Sequence, residues 1–205
     1  MKKVLLSFCV LATAGAFAQT HEKGQIQFNV DYELQVGSSL NLEVDGDDVN
    51  TDDFTVTVAG PRLDAQYGVS DNFGIGLLVR MATSKTEIDG LDGESEASHF
   101  DIGLSPRYYL LNTDDMNVFA KASVGLTTQN PKEEDGQEDL DNVSGLFWGV
   151  GGGLNYMFSD MFGANVQVAY GSRNYSEDVE FGTETIETKS MITGIDIGVG
   201  VTIVL

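Results

Sequence analysis

From Ile26 onward, apolar and polar residues alternate in eight stretches joined by segments that are long and short by turns. In the first stretch Ile26, Phe28, Val30, Tyr32 and Leu34 are apolar, while Gln25, Gln27, Asn29, Asp31 and Glu33 interleave. A period of two puts these sets on opposite faces of one strand. The second stretch begins on even positions, Phe54, Val56 and Val58, and resumes on odd ones, Leu63, Ala65, Tyr67 and Val69. The flip at Gly60-Pro61 predicts a β-bulge there, because Pro lacks the donor a regular ladder needs. Apolar faces follow on Phe73 to Met81, Phe100 to Leu110, Val118 to Leu126, Leu146 to Phe158, Phe162 to Tyr170 and Ile195 to Leu205. Each can supply the roughly 9 to 11 residues that a tilted strand needs to cross hydrocarbon.

Long polar segments (Gly37 to Asp53, Ala82 to Ser98, Thr128 to Asn142, Gly171 to Lys189) alternate with short ones near Ser70 to Asn72, Leu111 to Met116 and Ser159 to Asp160. That rhythm predicts an all-β fold: an eight-stranded antiparallel up-and-down transmembrane β-barrel with loops at one rim and turns at the other. Periodicity alone does not say which face is outside, since a soluble barrel uses the same alternation inverted. The face opposite the apolar one is rich in glycine, including Gly74, Gly76, Gly103, Gly125, Gly151, Gly198 and Gly200, with scattered charges. Small residues suit the crowded interior of a narrow barrel and make a poor solvated exterior, so the apolar face is assigned to lipid. Aromatics near the short turns, Tyr67, Phe73, Tyr108, Tyr109, Tyr156, Phe158 and Phe162, are placed for one interfacial girdle. Trp148, Phe54, Phe100 and Tyr170 are placed for the other.

The first residues add the address. Met1-Lys2-Lys3, the apolar run Val4 to Ala16 and the small-residue end Ala16-Phe17-Ala18 form a secretory leader, with cleavage expected after Ala18. Residues 1–18 are thus expected to be a signal peptide and 19–205 one barrel domain. The single cysteine, Cys9, falls in the leader, so neither disulfides nor thiolate chemistry is expected of the mature chain. Removing Lys2 and Lys3 leaves nine basic residues against 32 acidic ones, a balance that excludes nucleic acid as a partner.

With these features in place, the chain resembles the small outer-membrane β-barrel family of Gram-negative bacteria, the porin-like group that includes the OmpX and OmpA barrel types. The resemblance runs over nearly the whole mature chain. It is most specific in Pro61-Arg62-Leu63-Asp64-Ala65-Gln66-Tyr67-Gly68-Val69-Ser70-Asp71-Asn72-Phe73-Gly74-Ile75-Gly76, which is similar to a strand-turn-strand segment such proteins carry. The terminal Val199-Gly200-Val201-Thr202-Ile203-Val204-Leu205 looks like the alternating signal read by the barrel insertion machinery, with Leu205 where an aromatic is usual. The resemblance implies the cell outer membrane, with lipid and lipopolysaccharide as surroundings, and no single activity.

Candidate chemistry lies on the glycine-rich face. Arg62, Arg80, Arg107 and Lys121 project onto it, as do Asp31, Glu33, Asp64, Asp101 and Asp196. In a narrow lumen these charges are expected to pair, as isolated ones would be costly. The four long segments hold 22 acidic and 4 basic residues, so most of the charge is displayed at one rim. Runs such as Glu43 to Asp48 and Glu133-Glu134-Asp135 offer carboxylate oxygens to divalent cations, although the register of a calcium loop is missing. No catalytic, cofactor or metal residues are assigned. His99, two residues before Asp101, is the one candidate for catalysis, and Ser98 points to the opposite face. The role expected is structural or in surface interaction, with a mostly plugged lumen and acidic extracellular loops. A narrow porin-like channel for ions or small solutes is the alternative, and a lipid-modifying enzyme a third reading.

Overall fold

A computed structural model describes residues 21–51, 53–88, 94–131, 142–181 and 184–205. The expected leader, and the acidic run Glu133-Glu134-Asp135, lie outside the described residues. The strands are β1 (Ile26–Val44), β2 (Asp47–Val49), β3 (Phe54–Ser70), β4 (Phe73–Ile88), β5 (Glu94–Leu104), β6 (Arg107–Asn112), β7 (Met116–Pro131), β8 (Val143–Met157), β9 (Phe162–Phe181) and β10 (Glu184–Val204). All pairings are antiparallel, and β1 pairs with β10 from Gln27↔Val204 to Val44↔Thr188, which closes the ring. β5 and β6 are two halves of one stave, both pairing with β4 and β7. The barrel therefore has eight staves, and β2 is a short addition outside the ring.

The sides fall as alternation dictates. Leu110, Leu126 and Val199 are more than half exposed toward what would be lipid, whereas Asn29, Gln35, Asp64 and Asn155 are fully buried inside. A closed ladder leaves no backbone edge in hydrocarbon, so outward side chains need only be apolar. Inward glycines permit the packing: at Gly125, an added Cβ would lie 2.5 Å from the Gly103 Cα and 2.6 Å from the Phe147 ring.

Three expectations are corrected. First, β3 does not bulge at Gly60-Pro61. Its register to β4 is the same on both sides, Ala59↔Thr83 and Arg62↔Arg80, so Val56 and Val58 keep the inward phase of Arg62 and are buried. Phe54, expected in an outer girdle, shares that phase. The bulge lies instead in β1, between Gln35 and Ser38, where Gly37 takes φ of +60°. Glycine carries no Cβ to oppose that left-handed geometry. The extra residue turns Leu40 toward the interior.

Second, the four polar segments are not mainly loops. β1, β4, β7, β9 and β10 continue into them, and β9 and β10 stay paired out to Phe181↔Glu184. Beyond the membrane the outward face meets water in place of lipid, so the alternation of apolar and polar residues fades while the ladder persists. Third, the fourth stave breaks at Ser105-Pro106, where Pro106 lacks a backbone N–H to donate and the Ser105 N–H donates to the Gly76 carbonyl at 2.9 Å.

Candidate functional site

The interior is layered along the barrel axis. At the outer end β3, β4, β9 and β10 turn Val56, Val58, Ala82, Tyr175 and Ile192 inward as a buried apolar cluster, with Leu40 and Val143 packed against it. Polar groups of this cap are bonded to each other. The His99 ring lies 2.8 Å from the Tyr175 hydroxyl and 2.7 Å from Ser84 Oγ. Tyr175 Oη is 3.1 Å from Thr127 Oγ1, which donates to Asp101 at 2.6 Å. His99 thus meets Asp101 through two hydroxyls and not directly. The serine beside it is Ser84, which sequence reading had placed in a loop.

The middle layer holds all nine charged residues singled out from the alternation. Arg62 pairs with Glu33 at 3.2 Å and with Asp64 at 2.9 Å. Arg107 reaches Asp64 at 3.1 Å, and Arg80 reaches Asp196 at 3.3 Å and Glu33 at 3.9 Å. Lys121 and Asp31 are joined through an amide: Lys121 donates to Gln167 at 2.5 Å and Gln167 donates to Asp31 at 2.6 Å. Asp101 is held by a cation that the alternation did not supply, Arg173, whose Nη2 lies 3.0 Å away. Counted with Arg173, the buried charges among the described residues are five cations and five anions. The formal charges inside the barrel therefore cancel, so that none of these ions stands as an uncompensated buried charge, the most costly case.

This layer leaves little room. A cavity of about 20 Å³ lies among Glu33, Arg62, Arg80, Asp101, Arg173 and Asp196. It is enough for roughly one water molecule and too small for a hydrated ion. Toward the turns the lining becomes uncharged: Gln27, Asn29, Asn117, Asn155 and Thr202 are buried and bonded to one another, as in Asn155 to Asn117 at 2.8 Å, while the buried Gln66 donates to Asp64 at 2.5 Å and to the Ser105 carbonyl at 2.7 Å. Arg107 stands at 4.4 Å over the Phe119 ring, a cation–π contact at the base of the ion-pair layer. Among the described residues no group of three or more His, Cys, Asp or Glu side chains converges in a way that could hold a metal ion.

Sequence reading missed Arg173, Tyr175 and Ser84 because all three lie in segments whose apolar face has faded. Tyr109, expected in an interfacial girdle, is instead fully buried inside against His21 and Phe119, and the inward Phe119 and Phe147 were missed because each breaks the polar run of its face. One signal was available: Arg173 and Tyr175 continue the odd-numbered inward phase of Asn165, Gln167 and Ala169.

A closed antiparallel ring with an apolar outside and a polar inside defines a transmembrane β-barrel. Residues 6–203 match the family model described as outer membrane protein beta-barrel domain, and the chain belongs to that family. It is an outer-membrane protein. Among solved structures it is similar to the outer membrane protein OprG from Pseudomonas aeruginosa, at 18% identity and a TM-score of 0.63 over 92% of this chain and 99% of that one. It is likewise similar to the outer membrane protein AlkL, at 18% identity and a TM-score of 0.60 over 94% and 95% of the two chains. At such identities the likeness is one of fold. The search of curated proteins finds no match.

Proposed function

We propose that this protein is a closed outer-membrane barrel whose working surface is its acidic extracellular rim, with a structural or cell-surface interaction role. The observation that carries this reading is the neutral, mutually paired lumen capped by Val56, Val58, Ala82, Tyr175 and Ile192. A structure that packs its axis in this way has invested in rigidity and not in passage. The rim, rich in Asp and Glu, favours cationic partners, including divalent ions that also bind lipopolysaccharide phosphates. The test is release of ions and small sugars from liposomes carrying the refolded protein. Leakage equal to that of empty liposomes supports the closed barrel; leakage above it supports a narrow axial channel.

A second reading rests on the wall at Gly60-Pro61. Pro61 offers no N–H to Met81, and the β3–β4 pairs are interrupted between Ala59↔Thr83 and Arg62↔Arg80. Outside that gap runs a groove of about 600 Å³ lined by Tyr32, Pro61, Met81 and Phe100, with the backbone of Ala82 between it and the apolar cap. In this reading small apolar solutes cross the wall sideways at the outer end, while the ion-pair layer below stays shut. Transfer of an apolar fluorophore into the lipid that is slowed in Pro61→Val, without ion release, would support it.

A further inference from the structure

At the periplasmic mouth the residues that precede β1 fold back across the opening. The His21 side chain is 2% exposed and stacks on Tyr109 with ring centroids 3.7 Å apart and 21° between planes. Its Nε2 lies 3.1 Å from the Ser70 carbonyl, which can only accept, so this nitrogen carries the hydrogen. Asn112 Nδ2 donates to the His21 carbonyl at 2.7 Å. The Gly24 N–H donates to the Gly68 carbonyl at 2.8 Å and the Gly68 N–H to the Gln25 carbonyl at 2.9 Å. The seat is cut to this segment: a Cβ on Gly68 would lie 3.2 Å from His21 Cε1 and closer still to the Glu22 backbone.

We propose that residues 21–25 are a detachable latch over the periplasmic mouth, held by His21 in its neutral form and released when that ring takes up a proton. Each bond named above is at the edge of the barrel, and none belongs to the ladder that closes it. Release therefore costs a few hydrogen bonds and one ring stack, and leaves the β1–β10 closure intact. The charged and titratable groups facing the ring are Arg107 and Tyr109 from β6 and Asp71 from the β3–β4 turn. Within the segment itself the backbone N–H of Lys23 is bound to the Asp71 carboxylate at 3.3 Å. Burial, and next to it the Arg107 guanidinium, hold the ring below its ordinary value, against the Ser70 and Phe73 backbone and Asp71, which favour the proton.

The sign follows from linkage. The freed ring binds a proton near its ordinary value of about 6.5 and the latched ring only at lower pH, so the open form binds more protons. Latch stability is complete above about 6.5 and falls as the pH drops through it. The inference does not depend on whether the lumen conducts, since it concerns the mouth alone.

The test is amide hydrogen exchange, read as protection factors, on full-length mature protein in lipid nanodiscs. Between about pH 7.5 and about pH 5, protection at Gly24 and Gly68 is expected to drop by up to about thirtyfold, while Gln27 to Glu33 in β1 is unchanged. In His21→Phe, which stacks but does not titrate, protection is expected to be independent of pH. In Gly68→Ala, which spoils the seat and leaves His21 in place, it is expected to be low at both. Wild-type protection that stays within about twofold, or a drop of equal size in His21→Phe, overturns the proposal. Should His21→Phe fail to assemble, His21→Gln serves the same comparison, and the wild-type titration stands by itself.

Discussion

Arg173 grips one oxygen of Asp101 with two donors, Nη2 at 3.0 Å and Nε at 3.1 Å, inside the barrel. The same guanidinium reaches Gln35 across the lumen at 3.4 Å. Arg173→Met leaves Asp101 as a buried anion with Thr127 as its remaining bonded partner, and is expected to cost about 3 to 5 kcal/mol. Adding Asp101→Asn should recover more than half of that loss, because the stranded charge goes with it. Urea unfolding in lipid vesicles, followed by the fluorescence of the single tryptophan, Trp148, measures both. Equal stabilities for the single and double variants would show that the pair is not the reason for the loss.

The apolar cap gives a second prediction. Val58 is fully buried among Val56, Ala82, Tyr175 and Ile192. Val58→Ala removes two carbons at about 0.8 kcal/mol each and leaves a small cavity, so a loss of about 2 kcal/mol is expected. Val58→Thr, of nearly the same volume, is expected to lose a similar amount, because the hydroxyl is buried without a designed partner. If the outer mouth were instead a hydrated opening, Val58→Thr would be neutral in the same unfolding experiment.

Glycine inside β7 supplies a third. A methyl on Gly125 would press on both the Phe147 ring and the β5 backbone at Gly103 and Ile102. Gly125→Ala is expected to destabilise by about 1 to 3 kcal/mol. Adding Phe147→Leu should restore only part of this, since the backbone contact remains. Full restoration would place the whole conflict in the ring.

At the rim the expectation is the reverse. Lys189 pairs with Glu43 and Glu187, each at 3.2 Å, but about half of the Lys189 side chain is exposed. Lys189→Ala is expected to leave the urea unfolding midpoint nearly unchanged, and more nearly so in high salt. A larger effect would mean that the extended ribbon of β9 and β10 is coupled to the core.

Eight staves and their inward faces were legible because lipid and a narrow lumen impose opposite demands on alternate residues. That rule delivered Asp31, Glu33, Arg62, Asp64, Arg80, Asp101, Arg107, Lys121 and Asp196 to one interior. It failed where its cause lapses. Above the membrane nothing forces outward residues to be apolar, so the strands carrying Ser84, Arg173 and Tyr175 read as loops. The same lapse made Val56 and Val58 look lipid-facing: an apolar residue packed inside the outer end of the barrel carries the signature of one in lipid. The shift to a bulge at Gly60-Pro61 was the wrong inference from a correct anomaly, because proline interrupts a ladder without adding a residue. Nothing in the periodicity marks His21, whose seat is made by Gly68, Gly74 and Tyr109 from strands distant in sequence.

The central claim is that paired charges and an apolar cap close the axis of this barrel. Single-channel recording of the refolded protein in a planar bilayer tests it most directly. The expected trace is flat, with steps appearing when the Val58 and Ile192 cap is cut back to alanine together with Arg80→Ala. Regular conductance steps in the unaltered protein, shifted in ion preference by Arg80→Ala alone, would contradict it.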